Sequence, residues 1–228
     1  MGWLQCLDLK DNIGSVVLHV EQLMGEEVDD AVCKRLGDLA DAALKLPEKS
    51  LAGITSLLFA NRYRFSNKGL NSEFCFADCL MGRRYGSNTG VILYLSLAEE
   101  CNVPIEVFSG YSLHSDGDVV DVSGVGVKSD VVVNRRQLLA NHVVDLAGNL
   151  FLKNRFLEKE FECYQLAVDL DPLNFVALHR LSVCCYNDEN FGGALHYLGR
   201  ALRIRPDDVD ALSLKAFCDR LYNGSGEY

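Results

Sequence analysis

Pro172 and Pro206 stand 34 residues apart, as do Ala167 and Ala201, Tyr164 and Leu198, and Asp171 and Arg205. A recurrence of fixed length constrains a chain strongly, because each copy must fold into the same unit and stack on its neighbour. The unit predicted here is a helical hairpin. Small residues such as Gly148, Ala167, Ala194 and Ala201 let two helices approach closely, and a closing proline ends the second one because it has no N–H to donate. The copies span about 141–174 and 175–208. Glu160 stands where the first copy should have alanine, so that copy is imperfect. A further helix, Asp208 to Leu221, covers the last apolar face.

The residues before the repeats carry other periods. From about Gly14 to Leu46, apolar positions including Val17, Val20, Met24, Leu36, Leu39 and Ala43 recur at three and four residues, which predicts amphipathic helix closed by Pro47. Helices follow over about 49–62 and 72–82, separated by the basic polar stretch Asn61 to Asn71. The loop GSNTG, residues 86–90, feeds a helix over 91–101 that is apolar nearly all round and so should lie at the centre. Asn102 is a left-handed cap, and Pro104 prevents continuation. Two β-rich runs, 105–113 and 119–133, flank the Asp-Gly turn of residues 115–118. The fold class expected is α+β over residues 1–136, a helix-rich lobe with a small antiparallel sheet, followed by an all-α array over 137–228.

Composition excludes several functions. The 228 residues carry 32 acidic and 22 basic side chains, a net charge of -10, which argues against displacing counterions from nucleic acid. The longest apolar stretches fall far short of the roughly 20 residues that cross a bilayer. The N-terminus lacks the basic and apolar regions of a secretion signal. Nine cysteines without a CxxC pair then point to reduced thiols and a cytoplasmic location. No metal or cofactor is expected.

A period of 34 is the tetratricopeptide length. The stretch NRYRFSN, NSEFCFADCLMGRRYG and VILYLSLAEECNVPIEVFSGYSLH, followed by those repeats, resembles the bacterial transglutaminase-like proteins of the Sir B regulator type. The resemblance covers nearly the whole chain from about Val20. Its most specific pieces are Asn71-Ser72 with Arg84 and Gly86, the helix end 97–106, and the domain order. It implies a papain-like domain in which a cysteine opens the buried helix, a histidine lies on the next strand and an aspartate on the one after. The matching positions here are Ser87, His114 and Asp121, with Asp118 as the alternative to Asp121. Such a set works when the helix start holds a thiolate, the imidazole moves its proton and the carboxylate fixes the tautomer.

Ser87 breaks that pattern. An alcohol ionises about five or more units above a thiol, and a helix dipole worth about 1 kcal/mol does not close the gap. The resemblance therefore implies a retained fold without the ancestral reaction, Ser87 serving as a helix cap. The alternative is a hydrolase or transamidase working at Ser87, His114 and Asp121. Cys75 and Cys79 read as buried core thiols. In tetratricopeptide arrays the first helix of each hairpin lines a concave groove, which assigns partner contacts to His142, Asp145, Asn149, Leu152, Val176, His179, Val183 and Tyr186. Asp145 stands where chaperone-binding members carry lysine, so the groove suits a protein or peptide segment that is apolar or mildly basic. The function expected is protein interaction or regulation through that region.

Overall fold

The computed structural model describes residues 5, 7–66, 75–122, 129–152 and 159–224. The expected helix 14–46 is two helices, α1 (Ile13–Met24) and α2 (Asp30–Leu44). Gly25 divides them: at φ 92° it takes the left-handed conformation and its N–H returns to Gln22 O, an ending that glycine adopts without steric cost. Asp29 restarts the helix by accepting from Val32 N at 2.9 Å. α3 (Leu51–Ala60) is capped by Ser50, and α4 (Phe76–Gly82) is a short helix with no side-chain cap of its own. The Asn71-Ser72 motif and the start of the expected helix 72–82 lie outside the described residues.

α5 (Ser87–Cys101) begins inside the GSNTG segment instead of after it. The helix starts early because Gly86 N donates to Thr89 Oγ1 at 2.9 Å, closing the first turn. Its residues 88–94 are all buried, and α1, α2, α3, α4 and α6 pack around it. At its far end Asn102 has φ 55° and ψ 38°, the left-handed cap read from the sequence. α1 docks there: Asn12 Nδ2 donates to Ser96 O at 2.8 Å, and Ile13 N donates to Glu99 Oε2 at 2.7 Å. Glu99 thus sits at the positive end of α1, and Arg135 binds it from α6.

Strands β1 (Arg64–Phe65) and β2 (Arg84–Tyr85) form a minimal parallel pair. β3 (Glu106–Phe108), β4 (Ser112–Ser115) and β5 (Asp118–Asp121) form an antiparallel sheet in that order. The first expected β run is therefore two strands, divided by Gly110 and Tyr111 at positive φ. The β4–β5 turn holds Asp116 and Gly117 at φ 47° and 91°, the doubly left-handed geometry that Asp-Gly favours in two-residue hairpins. Of the second run, residues 123–128 lie outside the described residues.

The 34-residue period survives in three dimensions. α6 (Arg135–Leu152) and α7 (Glu160–Leu170) form one hairpin, α8 (Phe175–Asn187) and α9 (Phe191–Ile204) the next, and α10 (Val209–Gly224) follows. Asn174 caps α8 and Asp208 caps α10 through the same contact, a carboxamide or carboxylate oxygen 3.0 Å from the N–H three residues on. The main cluster of buried apolar side chains runs without a break from Ile13 to Ala201, joining the helical lobe to both hairpins. The molecule is helix-rich with a small sheet, and among the described residues no helix is long and apolar enough to cross a membrane.

Two glycines make the packing testable. A Cβ on Gly90 would meet Val122 Cγ1 at 2.5 Å and Tyr85 Cδ2 at 2.6 Å, whereas one on Gly199 would meet nothing. Gly90→Ala is expected to destabilise by about 1–3 kcal/mol through overpacking. Gly199→Ala should stabilise by about 0.5–1 kcal/mol, the backbone-entropy gain in a helix interior. Calorimetry should show melting temperatures moving in opposite directions, by roughly 2–4 °C per kcal/mol.

Candidate functional site

Glu21 lies on the inward stripe of α1 among Val17, Val20 and Met24, and its side chain is completely buried. Such a carboxylate persists only where hydrogen bonds replace its water. Four groups supply them. Phe76 N and Ala77 N, in the first turn of α4, both donate to it, the latter at 3.0 Å. Cys75 Sγ donates at 3.3 Å, and His142 Nε2 lies 2.9 Å from Oε1. Glu21 is therefore the missing cap of α4, supplied by another helix, and its charge faces the positive end of that helix. His142, on α6, is only 1% exposed.

A second polar contact runs alongside. Asn88 Nδ2, at the start of α5, donates to Asp145 on α6, one turn after His142. Burial pushes the Asp145 carboxyl up, while the Asn88 bond and the His142 charge oppose that shift. Tyr111, held left-handed at φ 65°, has its phenol pushed up to about 12, first by burial and then by the Asp145 charge. Among the described residues, His142 Nδ1 and Asn88 Oδ1 are buried without a hydrogen-bond partner. The region where α1, α4, α5 and α6 meet is thus a polar seam, led by one carboxylate–imidazole pair.

Burial disfavours the thiolate form of the cysteines beside the seam. Burial raises both Cys75 and Cys79 well above the ordinary thiol range, and the Glu21 charge adds to it. The thiolate is the reactive species, and here it is disfavoured twice. Among the described cysteines, all free, Cys33 alone is exposed.

Strand register fixes the face on which the expected histidine and aspartate stand. Leu113 is fully buried, its partner Val120 packs on the same core, and Val122 reaches α5 at Gly90. Side chains alternate along a strand, so His114 and Asp121 stand on the face turned away from α5. Ser87 is the first residue of α5. His114 pairs in register with Glu106 and Val119, and its ring lies 4.3 Å from that of Phe108. Asp118, the alternative acid, is exposed at the hairpin end opposite Ser115. The cap expected of Ser87 is made instead by Thr89.

The groove residues divide between the two hairpins. His142 and Asp145 point into the seam and do not line an open groove. Asn149 and Leu152 lie at the end of α6, and their side chains are outside the described residues. Val176 is 42% exposed, and His179, Val183 and Tyr186 are half-buried, one stripe along α8. His179 stacks on Phe175, and burial followed by the Arg180 charge lowers its pKa. Sequence reasoning missed Glu21, Asn88 and Tyr111. An acid on the apolar stripe between Val20 and Met24 was a usable signal for Glu21, though not for its partners. No family model and no curated protein matches the chain.

Removing the Glu21 side chain leaves the buried donors of Phe76, Ala77, Cys75 and His142 without their acceptor. Glu21→Ala is expected to cost about 3–5 kcal/mol in denaturant unfolding. Asp145 has the opposite sign. Its folded pKa is raised, so its contribution is fully present below the unfolded value of about 3.9 and is lost as pH rises through the folded one. Asp145→Asn, which keeps an acceptor for Asn88, should melt above the wild type at neutral pH. The difference should vanish in titrations below about pH 4.

Proposed function

We propose that this chain is a catalytically degenerate transglutaminase-like protein that acts in the cytoplasm through protein–protein interaction, with its tetratricopeptide region as the docking element. One observation carries the reading. The groove positions of the first hairpin, His142 and Asp145, are occupied by the chain's own lobe through Glu21 and Asn88. Exactly one period later, Val176 and His179 present the corresponding stripe with no segment of this chain hydrogen-bonded across it among the described residues. The first copy thus uses its groove face internally, and the second keeps the same face for a partner.

The chemistry of that stripe favours an apolar segment with a polar or basic flank. Val176, Val183 and Tyr186 offer apolar area, and the net charge of -10 favours cationic neighbours. The reading without catalysis is supported by Ser87 at the expected cysteine position and by the burial that raises the Cys75 and Cys79 thiols. General acid–base work needs nucleophile and base within hydrogen-bond reach.

The test begins with capture of partners on the purified chain, their identification by mass spectrometry and reconstitution with the purified partner. Val183→Asp with Tyr186→Ala should weaken that complex at least about tenfold, the loss of roughly 1.4 kcal/mol or more, with unchanged circular dichroism. Val176→Asp, at an exposed position, should do the same without touching the core. Undiminished binding by both variants, or transamidation of a glutamine donor that disappears in His114→Ala, would overturn the reading.

A further inference from the structure

Four arginines stand together where the C-terminal ends of α3 and α4 meet the β1–β2 pair. Arg62 follows the cap residue Asn61, Arg83 is itself the cap of α4, and Arg64 and Arg84 are paired across the strands. All four are exposed, and with Phe65, Ser66 and Gly82 they line a cavity of about 510 Å³. The chain carries a net charge of -10, so this concentration of cations runs against its overall balance.

The arrangement is costly for the fold alone. Like charges directly opposite on neighbouring strands destabilise a sheet. Arg62 and Arg83 also take left-handed backbone, at φ 66° and 56°, which costs a side-chain-bearing residue about 1–2 kcal/mol. Two helix C-termini converge here and attract cations, but each supplies only about half a negative charge. Roughly three of the four positive charges remain unbalanced by them. No ion pair to any of the four exists among the described residues.

The guanidinium of Arg64 is already positioned. Its Nη1 donates to Tyr63 O at 2.7 Å and Phe59 O at 3.2 Å, and it stacks 4.6 Å over the Phe59 ring. Its Nε and Nη2 make no hydrogen bond among the described residues. Arginine forks match the oxygens of phosphate in pairs, where lysine offers a single point charge. The cavity is within the range of small-ligand sites, about 300–1,000 Å³, and the acidic surface elsewhere opposes an extended nucleic acid.

We infer that this pocket binds a small molecule carrying two or more adjacent phosphate groups. A diphosphate brings about the charge that the arginines leave unbalanced, and its adjacent phosphates offer oxygens to guanidiniums carried on the register-paired positions Arg64 and Arg84, where a single carboxylate serves only one. The site is separate from the repeat stripe, so its test is independent of the reading above.

Isothermal titration of the full chain with inorganic pyrophosphate and, separately, with ATP tests it, at about 50 mM salt to limit screening. Saturable binding of pyrophosphate is expected, at least tenfold weaker in Arg84→Gln and in Arg62→Gln and less weakened in Arg84→Lys. Affinity should fall on raising salt. Tighter binding of ATP than pyrophosphate identifies a nucleotide, equal binding a free polyphosphate, and both support the site. Circular dichroism verifies that the exposed substitutions leave the fold intact. Absence of binding at millimolar pyrophosphate, unchanged affinity in both glutamine variants, or tighter binding of a hexaglutamate peptide would overturn it.

Discussion

A single carboxylate without access to water organises the junction of this molecule. Glu21 holds the start of α4, the Cys75 thiol and the His142 ring at once. An uncompensated charge in such a place is so unfavourable that α1, α4 and α6 must dock so as to bring these donors to it. Apolar packing alone tolerates sliding and rotation between helices. The polar pins do not, and the main apolar cluster closes around them. Arg135 repeats the logic at the other end of the junction, reaching from α6 to Glu99 and to the carbonyl of Asp11.

This junction also changes what the repeats are for. A hairpin array of two copies has few neighbours to stack on and ordinarily borrows stability from something else. Here the borrowed surface is the helical lobe, with His142 and Asp145 of α6 turned toward α1 and α5. Arg136 secures the arrangement from behind by donating to the carbonyls of Asp169 and Leu170 at the end of α7. Asn141 and Asn174 link the start of one copy to the start of the next.

Much of this was legible from local chemistry. The 34-residue spacing placed α8 and α10 because caps and closing prolines recur with it, and Asn102 and Asp116-Gly117 were readable because left-handed backbone has few tolerated residues. The break at Gly25 was present in the letters but hidden by an apolar period that continues across it. The site was less legible for a different reason. His142 and Asp145 fit a groove pattern, yet their direction is decided by Glu21 and Asn88, at 121 and 57 residues' remove. Likewise the expected triad depended on which sheet face His114 takes, and a one-residue shift in strand register exchanges the faces. Pairing over such distances leaves no mark on local periodicity.

Among the described residues the buried apolar side chains fall into two clusters. Cys185, Ala194, Leu198, Ala211 and Cys218 form a small second group between α8, α9 and α10, apart from the main one. A group of five buried side chains opens at far lower free energy than the whole, because local stability tracks the apolar contacts that must be broken. The two groups share Phe175 and Tyr197 at their border, so the α9–α10 side is expected to open before the main cluster does. Amide hydrogens along α10 are therefore expected to exchange at lower free energy than those of α5. Cys185 and Cys218, sealed in the closed state, become the internal reporters of this breathing, and any partner seated on α8 is held by a scaffold that is firm on one flank and compliant on the other.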